Sequence, residues 1–355
     1  MSMSSLQIQP SALPAPHITT LLCDATAKLP MTPPCRVLLK NDLEQPLGLF
    51  KLRGIGHLIH SQLEAANARR CKKEVQVFAL LGGNAGLAAA YAAHFYGLKC
   101  TVVLPVIAKE VVKQQLKSYN AEMILFGNNI FEADQHLRNI LELIDTDKIL
   151  PIYCHPFDNP LIWEGHASLV DELVQQQLTP EEVPHLKGIV CLCGGGGLYN
   201  GIYQGLQRNG IHDLEVLLIE TAQAPTLYET VKANKLITLK LVNLMATLLA
   251  CLYTTQTSLN NYKNLDVVKT HLEVIDDADA LKGCVDYYDK IGKIVEPACG
   301  ALTLVVFNRM DLLFKHFGHL QPDDIVVIVV CGGLCSTGDD LSQYRSMLAR
   351  ADNKL

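Results

Sequence analysis

A single lysine, Lys51, carries the strongest chemical signal in this sequence. It follows a Pro/Gly turn and Phe50 within the run Gln45–Gly54, and it begins an amphipathic helical pattern. A lysine where a turn meets a helix can be partly desolvated and close to a cofactor, and its amine can form a Schiff base with an aldehyde. A lysine in an isolated Phe-Lys pair is more often a surface residue at the start of a helix. Other parts of the chain must therefore decide between the two interpretations.

Two glycine-rich loops are candidates for anion binding. The loop Gly82–Gly86 separates an apolar run from a helical run, so its N–H groups could hold a carboxylate and Asn84 could bind a hydroxyl or phenolate. A tight turn explains this loop equally well. The second loop, Gly194–Gly197, has four consecutive glycines, which cost more backbone entropy than a turn requires. It matches neither a dinucleotide motif nor a P-loop, and it favours a phosphate cradle before a helix.

Two other segments have weaker signals. Cys331-Gly332-Gly333 ends an apolar run, at the carboxyl edge where open α/β sheets bind ligands. The Cys331 thiol could face a ring nitrogen, or it could be a core cysteine before a turn. The segments His155–Pro160 and Glu164–His166 suggest a metal site, but they contain no helical pair of ligands at i and i+4. We interpret them as a loop that orders a domain interface.

Alternating apolar and amphipathic runs must position these residues, and they predict right-handed βαβ units with parallel sheets. The predicted strands are Arg36–Lys40, Val75–Leu80, Cys100–Pro105, Ala121–Phe126, Gly188–Leu192, Leu214–Glu220 and Asp324–Val330. Besides the helix from Lys51, the predicted helices are Ala85–Tyr96, Ile107–Tyr119, Ile130–Ile144, Trp163–Gln177, Leu198–Arg208, Pro225–Ala233, Ala278–Ile291 and Ala298–Phe317. The alternation restarts after Pro151, which suggests two units.

Composition narrows the classes of protein. The chain has 355 residues, 49% of them hydrophobic, enough for two folding units. A net charge of −6 without a basic run argues against nucleic acid or an anionic membrane surface as a partner. No apolar run is long enough to span a bilayer. Twelve scattered cysteines favour reduced thiols, and residues 1–20 contain neither lysine nor arginine, which favours a cytoplasmic protein over a secreted one.

The ordered set of Lys51, the Gly82–Gly86 loop, the tetraglycine and Cys331 resembles the fold type II family of pyridoxal-phosphate enzymes. Within it, the chain is most similar to the short catabolic L-serine/L-threonine dehydratases (deaminases), including those of yeasts. The resemblance extends from about Thr19 to about Leu341, and its motifs include His155–Asn159, Ile162–His166, Gly194–Gly201 and Glu296–Ala301. It implies an α/β fold of two domains like the tryptophan synthase β subunit, each a mostly parallel sheet flanked by helices.

The resemblance also implies a role for each motif. Lys51 would bind the cofactor covalently and remove the α-proton, Phe50 would pack on the ring, and Asn84 would bind the ring 3′-oxygen. The phosphate would be bound by Gly194, Gly195, Gly196 and Gly197, and Cys331 would contact the ring nitrogen. The substrate carboxylate would be bound by the loop of Leu81, Gly82, Gly83 and Asn84. A monovalent cation, with K⁺ as the candidate, would be bound at Glu220 and Ala224.

The implied reaction is pyridoxal-phosphate-dependent elimination. L-Serine would give pyruvate and ammonia, and L-threonine would give 2-oxobutyrate and ammonia, as in amino-acid catabolism that feeds gluconeogenesis. We expect a flexible leader at 1–18, a large cofactor domain at 19–41 plus 148–355, a small domain at 42–147, and no C-terminal regulatory domain. Relatives suggest a homodimer, and some yeast relatives are mitochondrial rather than cytoplasmic.

The sequence departs from the family pattern at several serine positions that carry leucine: Leu47, Leu49, Leu80, Leu81, Leu192, Leu248 and Leu334. Our hypothesis is a decoding artefact, since some yeasts read the codon CUG as serine where the standard code writes leucine. Codons other than CUG would rule this out. Genuine leucines would favour an inactive cofactor-binding relative or a different elimination or replacement reaction. Ala250 stands where relatives have glycine, which the codon hypothesis does not explain.

Overall fold

The structure is a computed structural model that describes residues 13–80, 84–128, 130–239 and 251–352. Its strands form two sheets. The six-stranded sheet has the order β1-β2-β10-β7-β8-β9, and the four-stranded sheet has the order β5-β4-β3-β6. The strands in this part of the chain are β1 (Leu22–Asp24), β2 (Arg36–Asn41), β3 (Glu74–Leu80), β4 (Lys99–Leu104), β5 (Glu122–Leu125), β6 (Ile149–Cys154), β7 (Leu186–Leu192), β8 (Glu215–Thr221), β9 (Lys269–Ile275) and β10 (Ile325–Val330).

All strand pairs are parallel except β1 with β2. Parallel strands need helical crossovers, and helices therefore flank both sheets. The described residues contain the α-helices α1 (Lys51–Ala68), α2 (Asn84–Phe95), α3 (Glu110–Ser118), α4 (Ile130–Glu142), α5 (Pro160–Glu172), α6 (Gly197–Arg208), α7 (Thr226–Ala233), α8 (Gln256–Lys263), α9 (Asp277–Ile291), α10 (Pro297–Phe307), α11 (Asp311–Phe317) and α12 (Gly338–Asp352). The predicted α/β class is confirmed.

Strand β6 contains Pro151, the residue at which the sequence pattern suggested a restart. Pro151 pairs with Gln76 of β3, and β6 is an edge strand, where a residue without an N–H group is tolerated. The four-stranded sheet thus includes residues on both sides of the boundary predicted at 147/148.

The prediction of one long helix at Ala298–Phe317 is wrong, because α10 and α11 are separate. Asn308 leaves the helical conformation, and Arg309 pairs with Asp311 at the start of α11. Both helices bury leucines, so the apolar pattern continues through the bend and conceals it. Among the described helices, none alone is long and apolar enough to cross a membrane, and α10 and α11 meet those criteria only as a pair bent by 86°.

Residues 13–18, which we expected in the flexible leader, contact the start of the fold. His60 Nε2 lies 2.9 Å from the carbonyl oxygen of Leu13, and Tyr96 donates to the carbonyl of Pro14. Pro16 lies so close to Gly56 that a Cβ there would be 2.5 Å from its ring. This segment therefore packs along α1.

Candidate active site

The loop before Lys51 is tied to the end of β10. Gly48 has a left-handed backbone with φ of 66°, which reverses the chain after Gln45. Leu49 forms an antiparallel bridge with Gly332, and the Phe50 N–H donates to the Cys331 carbonyl. The two motifs that are 280 residues apart in the sequence thus lie side by side.

Lys51 is the first residue of α1, and its amine is held inside the protein. Nζ donates to the carbonyl oxygen of Pro156 at 2.9 Å and lies 5.3 Å from the centre of the Phe50 ring. Burial lowers the pKa of Lys51 below its ordinary value. A lowered pKa favours the neutral amine, which is the nucleophilic form of lysine.

The four glycines connect β7 to α6 at the carboxyl edge of the six-stranded sheet, and Gly197 is the first residue of α6. Gly196 has φ of 85° and precedes the first residue of α6. A Cβ on Gly195 would lie 2.3 Å from the Phe157 ring, and a Cβ on Gly196 would lie 2.0 Å from Ser258 Oγ. Larger residues therefore cannot replace these glycines without displacing the segments that pack against them.

One cavity brings most of the predicted residues together. It is lined by Phe50, Lys51, Asn84, the four glycines Gly194–Gly197, and Cys331. Phe157, Leu192, Leu198, Cys251, Glu296 and Ala298 complete its wall. The cavity thus contains an amine, a loop of glycine N–H groups at a helix N-terminus, an amide and a thiol.

Asn84 begins α2 and is held by two residues, Glu296 directly before α10 and Cys335 shortly after β10. Its Nδ2 lies 3.1 and 2.8 Å from the two carboxylate oxygens of Glu296, and its Oδ1 accepts from the Cys335 thiol at 3.0 Å. The Cys335 N–H donates to Glu296 at 3.0 Å. Burial raises the pKa of Glu296, and the hydrogen bonds from Cys335 and Asn84 oppose that shift.

Cys331 is buried at the end of β10 beside a second thiol. Its backbone N–H donates to Cys299 Sγ at 3.2 Å. The hydrogen bond from Cys299, followed by burial, raises the pKa of Cys331 well above the ordinary thiol value. Cys331 therefore stays a neutral thiol in this wall of the cavity.

Glu220 and Ala224 lie outside the cavity wall, behind the glycine loop. The Glu220 carboxylate accepts from the N–H groups of Leu227 and Tyr228, both at 2.8 Å, at the start of α7. Thr226 Oγ1 lies 3.0 Å from Glu220 and donates to the Gly194 carbonyl at 2.7 Å. Burial raises the pKa of Glu220 to about 7. Within the described residues, no group of three or more His, Cys, Asp or Glu side chains could hold a metal.

Several calls from the sequence lie outside the described residues, namely Leu81, Gly82, Gly83, Leu248 and Ala250. Among the other leucines at family serine positions, Leu47, Leu49 and Leu80 are buried, and Leu334 packs against the core cluster that contains Leu47 and Leu49. Leu192 is both buried and part of the cavity wall.

Sequence reasoning missed Phe157, Cys251 and Glu296 as cavity residues. Phe157 belongs to the segment that we interpreted as an interface loop, and the neighbouring Pro156 carbonyl binds Lys51. Cys251 accepts a hydrogen bond from the Gly195 backbone. Glu296 directly precedes the helix-starting Pro297, so a signal existed, because a buried carboxylate at a helix N-terminus is favourable.

Comparisons with known proteins agree with this geometry. A family model described as "Pyridoxal-phosphate dependent enzyme" matches residues 23–332. The chain is 38% identical over 317 residues to the catabolic L-serine/threonine dehydratase of Saccharomyces cerevisiae, covering 88% of this chain and 87% of that protein. It is 36% identical over 296 residues to the L-serine dehydratase/L-threonine deaminase of Bos taurus, covering 83% and 85%.

A solved structure has the same fold. The chain superimposes on a fungal L-serine ammonia-lyase from Rhizomucor miehei with a TM-score of 0.79 and 26% sequence identity, covering 94% of this chain and 99% of that chain.

Proposed function

This chain belongs to the family of pyridoxal-phosphate dependent enzymes, and we propose that it is an L-serine/L-threonine ammonia-lyase. It would convert L-serine to pyruvate and ammonia, and L-threonine to 2-oxobutyrate and ammonia. The observation that carries the proposal is the single cavity that both Lys51 and the four-glycine loop line. Relatives that match at 36–38% identity are named for this activity.

The cavity residues fit pyridoxal phosphate. An anion needs N–H donors without side chains in the way, and the space that a Cβ on Gly195 or Gly196 would need is filled by Phe157 and Ser258. An aldehyde needs a neutral amine, and burial lowers the pKa of Lys51. We propose that Gly194–Gly197 bind the phosphate and that Lys51 binds the aldehyde carbon.

When bound, pyridoxal phosphate withdraws electrons from the α-carbon of an attached amino acid. Lys51 Nζ would then accept the α-proton, since burial lowers the pKa of its amine and so favours the neutral form that can take up a proton. Phe50 would pack against the cofactor ring, Asn84 would bind the ring oxygen, and Cys331 would face the ring nitrogen. The raised pKa of Cys331 supports a neutral partner for that nitrogen.

We place the substrate carboxylate at the start of α2, in the segment Leu81, Gly82, Gly83 and Asn84. The N-terminus of a helix favours an anion. Asn84 is the described member of this segment, and it lines the same cavity as Lys51. The proposal therefore puts the carboxylate and the phosphate at two helix N-termini that line the same cavity as the lysine.

We propose Glu220 and the carbonyl of Ala224 as a K⁺ site behind the phosphate loop. Glu220 is a fully buried carboxylate, and Thr226 links it to the Gly194 carbonyl. A cation there would compensate a buried negative charge.

We also propose a division into a large cofactor-binding domain around the six-stranded sheet and a small domain around the four-stranded sheet. The two sheets share no strand pair among the described strands. A homodimer, a cytoplasmic location and the absence of nucleic-acid or membrane partners complete the proposal. The net charge of −6 supports the last point.

The decisive experiment compares the wild type with Lys51→Ala. The wild type should show the absorbance of bound pyridoxal phosphate and produce 2-oxo acid from L-serine in a coupled assay. Lys51→Ala should lose the absorbance band and at least about a thousandfold in rate, because the covalent link and the base are both removed. Lys113→Ala, a half-buried lysine paired with Glu110 on α3, is the matched control. A wild type that binds the cofactor but forms no 2-oxo acid from serine or threonine would contradict the proposal.

A further inference from the structure

Glu296 is a buried carboxylate in the cavity wall that the proposed reaction does not use. Its side chain is only 3% exposed, and it lines the cavity together with Lys51 and Asn84. None of the ion pairs in the described part of the chain includes it. A buried carboxylate without a cationic partner is costly, and such residues concentrate at functional sites. Its two hydrogen-bonding neighbours indicate what it does.

The amide of Asn84 is fixed at both ends. Its Nδ2 donates to Glu296, at 3.1 Å from Oε1 and 2.8 Å from Oε2. Its Oδ1 accepts from the Cys335 thiol at 3.0 Å. Because a carboxylate only accepts and a thiol can donate, the amide has one favourable orientation, with its nitrogen toward Glu296.

Among the residues that the structure describes, this arrangement leaves one donor of Asn84 free. The two oxygens of one carboxylate lie too close together to take both N–H bonds of an amide, which diverge widely. Glu296 therefore receives one N–H of Asn84 in a shared hydrogen bond. The second N–H belongs to a residue that lines the cavity and is available to a ligand there.

We propose that Glu296 is a positioning residue that, together with Cys335, makes Asn84 a hydrogen-bond donor to the ring oxygen of pyridoxal phosphate. This inference rests on the proposed placement of the cofactor ring beside Asn84. The ring oxygen is an acceptor, so a reversed amide would place Oδ1 against it and lose the bond. Glu296 acts through Asn84 and need not touch the cofactor.

The variant Glu296→Gln tests this hydrogen-bond pattern without changing the size of the side chain. Glutamine would place its NH₂ group against either Asn84 Nδ2 or the Cys335 N–H. Two hydrogen-bond donors would then face each other until the Asn84 amide exchanged the positions of its oxygen and nitrogen. We expect the Kd for pyridoxal 5′-phosphate to rise about tenfold, the effect of losing one buried hydrogen bond. Titration of the apoprotein with pyridoxal 5′-phosphate, followed by absorbance, measures this.

A cofactor analogue with hydrogen in place of the ring hydroxyl separates positioning from general damage. The analogue cannot accept the Asn84 bond. We therefore expect the wild type and Glu296→Gln to bind the analogue with equal Kd. The thermal unfolding midpoint of the two apoproteins provides a second readout of structural damage.

Two further variants test the other end of the amide. Cys335→Ser keeps a donor for Asn84 Oδ1 and should bind the cofactor like the wild type, whereas Cys335→Ala removes the donor and should weaken binding several-fold. Glu273→Gln is the matched control for Glu296, because Glu273 is a partly buried glutamate on β9 that contacts Lys315 and His316 instead of the cavity. It should leave the Kd unchanged.

The outcomes are distinguishable. A wild-type protein that shows no absorbance change with pyridoxal 5′-phosphate contradicts the proposed function itself. A wild type that binds, with Glu296→Gln binding equally well, overturns the positioning role alone. An equal loss of affinity for the cofactor and its analogue also overturns it. Should Glu296→Gln fail to fold, the pair Cys335→Ser and Cys335→Ala decides, and equal Kd values for that pair overturn the inference.

Discussion

His155 is a buried residue whose hydrogen bonds determine its protonation state. Its Nδ1 accepts from the N–H groups of Phe157 and Asp158, at 3.2 and 2.7 Å. The proton of the neutral ring is therefore on Nε2, which lies 3.1 Å from the Tyr253 hydroxyl. Burial lowers the pKa of His155 to about 4. The loop that offers the Pro156 carbonyl to Lys51 thus depends on a neutral imidazole.

We predict that His155→Asn weakens the acid sensitivity of the protein. As the pH falls, the unfolded histidine, with a pKa of 6.5, binds a proton before the folded one does at about 4. The stability that His155 contributes is therefore present above pH 6.5 and is lost as the pH falls toward 4. An asparagine oxygen can accept the same two N–H bonds and does not titrate. Urea denaturation at pH 7 and pH 4.5 should show up to about 3 kcal/mol less pH dependence in the variant. Equal pH dependence would rule out this role.

Residue types predicted Lys51, the glycines and Cys331 as candidates because each follows a turn or strand with a recognisable pattern. Glu296 has a sequence signal in its place before a helix-starting proline, but its contacts could not be assigned this way, since its partner Asn84 is 212 residues away. Periodicity and spacing describe neighbours along the chain, whereas that carboxylate is defined by what three separate segments bring to it. The same holds for Cys251, which meets the Gly195 backbone only in the folded cavity.

Helix α1 carries Lys51, and a buried charge network fixes its first turn. Arg53 donates to Asp42 through Nε at 2.8 Å and to Glu172 of α5 through Nη2 at 2.9 Å. Lys40 of β2 donates to the same Glu172 at 2.6 Å. All four side chains are at most 5% exposed. Two cations and two anions balance, so the network is neutral as a unit.

We predict that Glu172→Gln destabilises the protein by about 3–5 kcal/mol, because it leaves two buried cations facing one carboxylate. Since Arg53 is two residues from Lys51, the affinity for pyridoxal phosphate should fall as well. Urea denaturation and cofactor titration measure the two effects. Glu181→Gln changes an exposed glutamate and should have neither. A variant with the wild-type denaturation midpoint would show that the network does not hold α1.

Close helix packing also positions α1, through glycines whose packing role the sequence pattern did not indicate. A Cβ on Gly54 would lie 2.6 Å from His166 Nε2, and a Cβ on Gly165 would lie 2.5 Å from the Arg53 carbonyl oxygen. Glycine inside a helix has a low helix propensity, yet here its missing side chain lets α1 and α5 come into contact. Periodicity could predict which segments are helices, but it could not predict how closely α1 and α5 approach each other.

At the scale of the whole molecule, the reactivity of the cysteine thiols measures whether the fold is intact. All twelve are free and lie in the described residues, but only Cys71 is exposed, while Cys23 and Cys251 are half-buried. Burial raises the pKa of most of the others, which suppresses the reactive thiolate.

We predict that an aromatic disulfide reagent modifies about one thiol rapidly in the native protein and all twelve in denaturant. Cys71→Ser should remove the rapid phase. Because Cys251 lines the cavity, pyridoxal phosphate should slow its reaction while leaving Cys23 unaffected. Absorbance of the released reagent gives the stoichiometry and the rates. Rapid modification of many thiols in the native protein would contradict the buried placement.

The position of β10 has a consequence for how the protein is made. Although β10 is the last strand in the described chain, it lies between β2 and β7 in the middle of the six-stranded sheet. During synthesis the earlier strands leave the ribosome while their central partner is still missing, and pairing across so many residues is slow. The loop after β10 also holds the Lys51 turn. A nascent chain therefore contains Lys51 early but can place it only after β10 has been synthesised and paired with β2 and β7, which delays cofactor capture until then.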